Sequence, residues 1–154
     1  MAESTLIIKD EKALATLAAR IAPLLKTGDV VTLIGDLGAG KTAFARSLIN
    51  SLSPLPEEVP SPTFTLVQVY DLPKLSIWHF DLYRLEEKAM DILELGWDDA
   101  RRDAVCLVEW PDRLGSLLPK DRLEIHINFH NNDVRAREVI LRPAGSWVIR
   151  LGTV

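Results

Sequence analysis

The residues best suited to chemistry form one short segment, Gly35-Asp36-Leu37-Gly38-Ala39-Gly40-Lys41-Thr42. Its three glycines allow successive backbone N–H groups to turn inward around a phosphate. The lysine can reach the β- and γ-phosphates of a nucleoside triphosphate, and the threonine hydroxyl can bind Mg²⁺. The spacing predicts a phosphate-binding loop. We expect nucleotide contacts from Asp36, Leu37, Gly38, Ala39, Gly40, Lys41, Thr42 and Ala43.

Two acidic residues each end an apolar segment. Asp81 follows Ile77-Trp78-His79-Phe80, and Glu109 follows Val105-Cys106-Leu107-Val108. A phosphate-loop enzyme needs a carboxylate near Mg²⁺, normally at the end of a neighbouring buried strand. We therefore expect Lys41, Asp81 and Glu109 to be catalytic, with Thr42 and Glu109 at the metal. The residues alone leave open which acid orients water, and either could be a solvated acid with no role.

The segment Ser61-Pro62-Thr63-Phe64-Thr65 carries three hydroxyls after the helix that the loop starts. Such a loop can close over the γ-phosphate and Mg²⁺, so Ser61, Thr63 and Thr65 are switch-like candidates. Trp110 follows Glu109 directly and is either a core residue or a contact for a partner. No Asn-Lys-x-Asp sequence is present to hold guanine, which favours ATP over GTP.

Around these residues the pattern predicts an α/β fold: a P-loop NTPase-like three-layer sandwich with a mixed parallel/antiparallel central sheet. A strand over 30–34, apolar on both faces, precedes the loop, and a helix over 41–52 follows it. Asp10 can cap an earlier helix, and a helix over 86–102 is expected to break near Gly96. The other predicted strands cover 6–8, 64–70, 75–80, 104–108, 123–129, 139–141 and 147–149, with the pair at 64–80 antiparallel.

Composition narrows the class of protein. The chain has 154 residues with 47% hydrophobic and 26% charged residues, which predicts one domain over 1–154. The net charge of −4 gives no basic surplus for direct nucleic-acid binding. The single cysteine, Cys106, lies in an apolar run and excludes an internal disulfide. No signal peptide or membrane span is evident, so a cytoplasmic location is expected.

Four blocks together resemble the bacterial TsaE family of ATPases in tRNA threonylcarbamoyladenosine biosynthesis. The resemblance runs from Thr5 to Leu141, and its blocks are Gly35 to Thr42, Ser61-Pro62-Thr63-Phe64-Thr65-Leu66-Val67, His79-Phe80-Asp81-Leu82-Tyr83-Arg84-Leu85 and Leu107-Val108-Glu109-Trp110-Pro111. It implies ATP and Mg²⁺ as cofactors and the proteins TsaB and TsaD as partners. Those partners transfer a threonylcarbamoyl group to the adenosine beside the anticodon. The ATPase would contact tRNA only through them, and its turnover would reset the partner complex.

Carried over to this chain, the resemblance makes Lys41 a phosphate ligand, Thr42 a Mg²⁺ ligand and Glu109 the metal-associated acid. Asp81 becomes a further essential acid near the γ-phosphate. Trp110 is implicated in activity, and the loop from Ser61 to Thr65 is switch-like. Ser47 departs from a position that is often glycine in the family, and the segment with Arg135 and Arg137 matches loosely.

Other functions stay open at this level. Arg84 is a candidate arginine finger, although a partner could supply one. A small-molecule kinase of this size would need an acceptor pocket and a basic lid, for which Arg101-Arg102 is the dense candidate. A non-hydrolysing, ATP-gated binding module is the third hypothesis.

Overall fold

The computed structural model describes residues 3–56, 58–62, 65–85 and 89–152. Their strands form one seven-stranded sheet in the order β1-β7-β6-β2-β5-β4-β3. The strands are β1 Ser4–Ile8, β2 Val30–Ile34, β3 Val67–Asp71, β4 Ser76–Asp81, β5 Val105–Glu109, β6 Arg122–His130 and β7 Asp133–Ala144.

Five α-helices accompany the sheet in the described ranges: α1 Glu11–Ile21, α2 Lys41–Leu52, α3 Ala89–Glu94, α4 Trp97–Asp103 and α5 Trp147–Leu151. Short 3₁₀ segments cover Ala22–Leu24 and Pro111–Leu117. Within those ranges, no helix has both the length and the apolar character needed to cross a membrane.

The centre of the sheet is parallel and its edges are antiparallel. β2 pairs in parallel with β5 and β6, and β4 pairs in parallel with β5. The pairs β3–β4, β6–β7 and β1–β7 are antiparallel. The predicted mixed sheet is therefore confirmed. Because parallel strands share their direction, the carboxyl ends of β2, β4 and β5 meet at one edge.

Helices cover both faces of the sheet and give the predicted three layers. On one face, α1, α2 and α5 bury Leu17, Phe44 and Trp147 against the strands. On the other face, α3 and α4 contribute Ile92 and Trp97 to a second apolar cluster. Cys106 lies in this second cluster, where burial raises the pKa of its thiol to about 12. The cysteine is a core residue, as its apolar run predicts.

Two predicted elements need correction. The segment 147–149 is not a strand, because Trp147–Leu151 forms the helix α5. The strand predicted over 64–70 begins only at Val67: Leu66 has a left-handed φ of 68° and forms a turn with Pro62, and Phe64 lies outside the described residues. The helix predicted over 86–102 breaks at Gly96 into α3 and α4, as expected, and residues 86–88 lie outside the described ranges.

Candidate functional site

The glycine loop connects β2 to α2 and wraps over the end of β6. A side chain at Gly35 would collide with the backbone carbonyl of Ile127, so only glycine fits that position. Gly38 and Gly40 have left-handed φ values of 80° and 118°, which other residues adopt with strain. The guanidinium of Arg137 donates from Nε to the carbonyl oxygen of Ala39 at 2.6 Å and thereby ties the loop to β7.

Lys41 is the first residue of α2, and its side chain folds back over the loop. Its Nζ donates to the carbonyl oxygens of Gly35 and, at 3.2 Å, Asp36. The same atom lies 4.1 Å from the centre of the Trp110 ring. Burial lowers the pKa of Lys41, and the nearby carboxylates of Glu109, Asp81 and Asp36 oppose that shift. The ammonium group is thus held at the mouth of the loop, where phosphate oxygens would lie.

Thr42 and Glu109 face each other across the start of α2 and the end of β5. The threonine hydroxyl lies 3.2 Å from Oε1 and 3.1 Å from Oε2 of the glutamate. Oε2 also contacts Nε2 of His79 at 2.7 Å. Because Glu109 is almost fully buried, its carboxylate depends on these polar partners.

Asp81 stands beside Glu109 because the two residues pair in the β4–β5 register. Its Oδ1 accepts from the backbone N–H of Tyr83 at 3.0 Å, and its Oδ2 lies 3.5 Å from the Ser61 hydroxyl. The side chain is buried. Sheet pairing therefore brings together the two acids that the sequence singles out.

These groups line a cavity of about 400 Å³. The lining residues are Leu37, Gly38, Gly40, Lys41, Thr42, Ala43, Arg46, Ser61, Asp81, Glu109 and Trp110. A second cavity, of about 570 Å³, shares Gly38, Gly40 and Ala43 and extends to Asp10 and Arg135. The two cavities therefore adjoin each other at the glycine loop and the first turn of α2.

The oxygen atoms at this site fit Mg²⁺. A hydroxyl from Thr42 and a carboxylate from Glu109 are the hard donors that this ion prefers. Within the described residues, no group of three or more His, Cys, Asp or Glu side chains could hold a metal ion without help. The donor set therefore matches an ion that takes its remaining ligands from phosphate and water.

Of four other predicted site residues, one lines the 400 Å³ cavity, two do not line it and one lies outside the described residues. Ser61 lines the 400 Å³ cavity, whereas Thr65 is exposed and its hydroxyl accepts from the Gln68 amide at 3.1 Å. Arg84 is exposed and is not among the residues lining either cavity. Thr63 lies outside the described residues.

Trp110 and Asp36 also have defined positions. Trp110 is half-buried, packs on the Tyr83 ring with centroids 4.8 Å apart and lines the cavity, so it is both a packed and a site residue. The side chain of Asp36 lines neither cavity at the loop. Asp36 lines instead a third cavity, of about 450 Å³, which shares Trp110 with the 400 Å³ cavity.

Three polar residues of the site are absent from the sequence-based set. Arg46 lies one helical turn after Thr42 and lines the 400 Å³ cavity, a position that helical spacing could have indicated. His79 contacts Glu109, and Arg137 holds Ala39. No local spacing signals these two contacts, because each joins strands or loops that are distant in sequence.

Comparison with known proteins gives one consistent family. The sequence profile described as Threonylcarbamoyl adenosine biosynthesis protein TsaE matches residues 8–139. The tRNA threonylcarbamoyladenosine biosynthesis protein TsaE of Bacillus subtilis (strain 168) is 41% identical over 139 residues, covering 90% of this chain and 82% of the relative. Its counterpart in Rickettsia felis is 35% identical over 144 residues, covering 94% and 84%.

A solved structure supports the same fold. The crystal structure of YdiB from Bacillus subtilis superposes with a TM-score of 0.82 at 29% identity. The match covers 99% of this chain and 93% of that one.

Proposed function

This chain belongs to the TsaE family of threonylcarbamoyl adenosine biosynthesis proteins, and from that premise we propose that it is a Mg²⁺-dependent ATPase of tRNA threonylcarbamoyladenosine biosynthesis. ATP hydrolysis by this chain supports repeated rounds of threonylcarbamoyl transfer by TsaB and TsaD. One observation carries the proposal: Lys41, Thr42, Asp81 and Glu109 line a single cavity at the N-terminus of α2.

The loop and the start of α2 bind the phosphates. Backbone N–H groups of the loop and the positive end of the helix favour negative charge at this point. Lys41 exchanges its contacts with the Gly35 and Asp36 carbonyls for the β- and γ-phosphate oxygens. The 570 Å³ cavity, which continues from the loop toward Asp10 and Arg135, takes the ribose and base.

Thr42 and Glu109 would hold Mg²⁺ through their side-chain oxygens. When bound, the ion would neutralise negative charge on the phosphates during ATP hydrolysis. The hydroxyl and carboxylate already lie within 3.2 Å of each other.

Asp81 orients the attacking water. Both oxygens of Glu109 already lie near the Thr42 hydroxyl, and one of them also contacts His79. Asp81 is held through Oδ1 by the Tyr83 backbone N–H, and its Oδ2 lies 3.5 Å from the Ser61 hydroxyl, at the wall of the 400 Å³ cavity. A carboxylate anchored at one oxygen can accept a proton or a hydrogen bond from water at the other.

Partner proteins accelerate the reaction. Arg46 lines the cavity, but its Nη2 is directed to the Val59 carbonyl at 3.4 Å. An arginine supplied to the γ-phosphate is worth about 10³–10⁵ in rate. We therefore expect slow hydrolysis by this chain alone and faster hydrolysis when TsaB and TsaD are added.

Steady-state phosphate release tests this function. The purified chain is assayed alone and with TsaB and TsaD, beside Lys41→Ala and the control Lys74→Ala. Lys74 is an exposed lysine in the β3–β4 turn, at the opposite end of β4 from Asp81. Stimulation by the partners that Lys41→Ala abolishes and Lys74→Ala retains is the expected result. Tight ATP binding without stimulated release would argue instead for an ATP-gated binding module.

The candidate basic lid of the kinase hypothesis, Arg101-Arg102, lies away from the glycine loop. Arg102 pairs with Asp99 and Asp103, both at 3.0 Å. Its helix, α4, ends where Ala104 accepts from the Gly28 N–H, beside the starts of β2 and β5. The phosphate loop leaves the other end of β2, roughly 17 Å away for a strand of this length.

A further inference from the structure

His79 is a buried polar residue with no step assigned to it above. It lies on β4, and its side chain is fully buried. Its Nε2 atom lies 2.7 Å from Oε2 of Glu109, the acid that ends the neighbouring parallel strand. In the described part of the chain, the buried polar or charged residues are Thr32, Lys41, His79, Asp81 and Glu109. Lys41, Asp81 and Glu109 lie at the candidate site. His79 contacts Glu109, so it belongs to the same buried polar group.

The chemistry of the two groups assigns the donor and the acceptor in the hydrogen bond between His79 and Glu109. An ionised carboxylate offers acceptors only, so with Glu109 ionised Nε2–H of the imidazole donates the hydrogen bond and Oε2 accepts it. Nδ1 is buried and has no hydrogen-bond partner among the described residues. The bond to Glu109 is therefore the polar contact that orients this ring. A buried donor left without its acceptor would be costly, which couples the orientation of the ring to that of the carboxylate.

Two donors from different elements thus hold one flexible carboxylate. His79 reaches Oε2 from β4, and the Thr42 hydroxyl approaches both oxygens from α2. Thr42 cannot serve as the permanent anchor, because its hydroxyl oxygen is itself a proposed Mg²⁺ ligand. The histidine donates from β4 and its Nε2 is not a proposed metal ligand, so this bond can persist when the ion binds.

We propose that His79 is a positioning residue whose Nε2–H holds the Glu109 carboxylate in the orientation that receives Mg²⁺ together with the nucleotide. The inference rests on the proposed function, because that function assigns Glu109 to the metal. Hydrogen-bond partners behind a metal ligand typically contribute 10–100-fold to metal affinity or activity.

Two substitutions distinguish the effect of the N–H donor from the effect of the volume of the ring. His79→Gln keeps an N–H near the reach of Nε2, whereas His79→Leu fills similar space without a donor. Mn²⁺, which substitutes for Mg²⁺ and is detected by electron paramagnetic resonance, is titrated in the presence of ADP. ADP binding is measured separately in EDTA. We expect His79→Leu to weaken Mn²⁺ binding about 10–100-fold, His79→Gln to stay within about threefold of the unmodified chain, and metal-free ADP binding to be unchanged in both.

Ile77→Val is the matched control for packing. Ile77 is fully buried two residues before His79 on the same face of β4, and its substitution removes one methylene without touching Glu109. If thermal melting shows that His79→Leu does not fold, His79→Asn replaces it, because the asparagine amide is too short to reach the carboxylate.

Three results would overturn the inference: unchanged Mn²⁺ affinity in His79→Leu, equal weakening in His79→Gln and His79→Leu, or equal weakening in Ile77→Val. Failure of the unmodified chain to bind Mn²⁺ with ADP would instead overturn the proposed function, and the role of His79 with it.

Discussion

At the scale of single residues, the surroundings of Lys41 suit the phosphate-binding role that we propose for it. Its ammonium group contacts two backbone carbonyls of its own loop and lies 4.1 Å from the Trp110 ring centre. Burial lowers the pKa of this lysine more than the nearby carboxylates of Glu109 and Asp81 raise it. A triphosphate supplies stronger, charged acceptors at the same point, so binding should favour the protonated lysine.

The Thr42 hydroxyl gives a prediction at the same scale. Thr42→Ala removes a proposed direct ligand, the hydroxyl that lies beside Glu109, so the Mg²⁺ concentration for half-maximal hydrolysis should rise by at least the factor of about 10–100 that is typical for loss of a partner behind a metal ligand. Thr42→Ser keeps the hydroxyl and should retain the original Mg²⁺ dependence. A Mg²⁺ titration of phosphate release at saturating ATP measures this. An identical titration curve for Thr42→Ala would contradict the assignment of this residue to the metal.

The sequence predicts those site residues that follow a local rule. The glycine loop has fixed spacing, and Asp81 and Glu109 each end an apolar strand, so parallel pairing places them together. His79 gives no comparable local signal, because its bond to Glu109 depends on the register of two strands 30 positions apart in sequence. Arg137 reaches Ala39 across 98 positions and is equally invisible to local patterns.

At the scale of elements, we expect the glycine loop to depend on its contact with β6. Gly35→Ala places a methyl group against the Ile127 carbonyl and should cost stability at the upper end of about 1–3 kcal/mol, with loss of ATP binding. Gly38→Ala is the matched control in the same loop, because its side chain meets open space and carries only the strain of φ 80°, about 1 kcal/mol.

Urea unfolding and a fluorescent-nucleotide titration compare the two glycine variants. If Gly38→Ala were the more damaging in both measurements, the contact with β6 would not be what fixes the loop.

The C-terminal helix α5 is anchored to the start of β2 through one arginine. Arg150 donates to both oxygens of Asp29, at 2.7 and 2.8 Å, and to the Leu24 carbonyl at 2.9 Å. Its guanidinium also lies 4.0 Å from the Trp147 ring centre. Together these contacts attach a short helix to the layer that contains α1.

Arg150→Met should therefore lower the free energy of unfolding by about 1.5–3 kcal/mol, the usual value for hydrogen bonds to charged groups. Steady-state ATP hydrolysis should be unchanged, because Asp29 lies at the opposite end of β2 from the phosphate loop. Urea unfolding and phosphate release are measured on the same preparation. Loss of hydrolysis at full stability would contradict a purely structural role for this helix.

The same helix marks where prediction from sequence fails. The run Trp147 to Ile149 combines an aromatic residue with two β-branched residues, a composition that favours a strand in isolation. In the fold, Asp121 accepts from the N–H and hydroxyl of Ser146 and turns the chain, and Trp147 and Leu151 are then buried on one helical face. Tertiary contact thus overrides local propensity in a segment of five residues, whereas the twelve-residue α2 begins and ends as predicted.

At the scale of the whole molecule, the sheet places β2 between β5 and β6, with β4 beyond β5. This order brings the phosphate loop and both acids to one edge, while the antiparallel strands β1 and β7 extend the other side. The chain carries a net charge of −4, so nothing in its overall charge favours direct binding of tRNA. We expect tRNA contact to come through partner proteins.

The central claim is that ATP turnover by this chain permits repeated rounds of transfer. The most direct measurement is threonylcarbamoyladenosine formed per TsaB–TsaD complex, with tRNA and the threonylcarbamoyl donor in excess. The chain, its Lys41→Ala variant or no addition is tested, each with ATP or a non-hydrolysable analogue. Many products per complex with the unmodified chain and ATP, and about one in every other mixture, is the predicted result. Equal multiple turnover with Lys41→Ala or with the analogue would contradict the account.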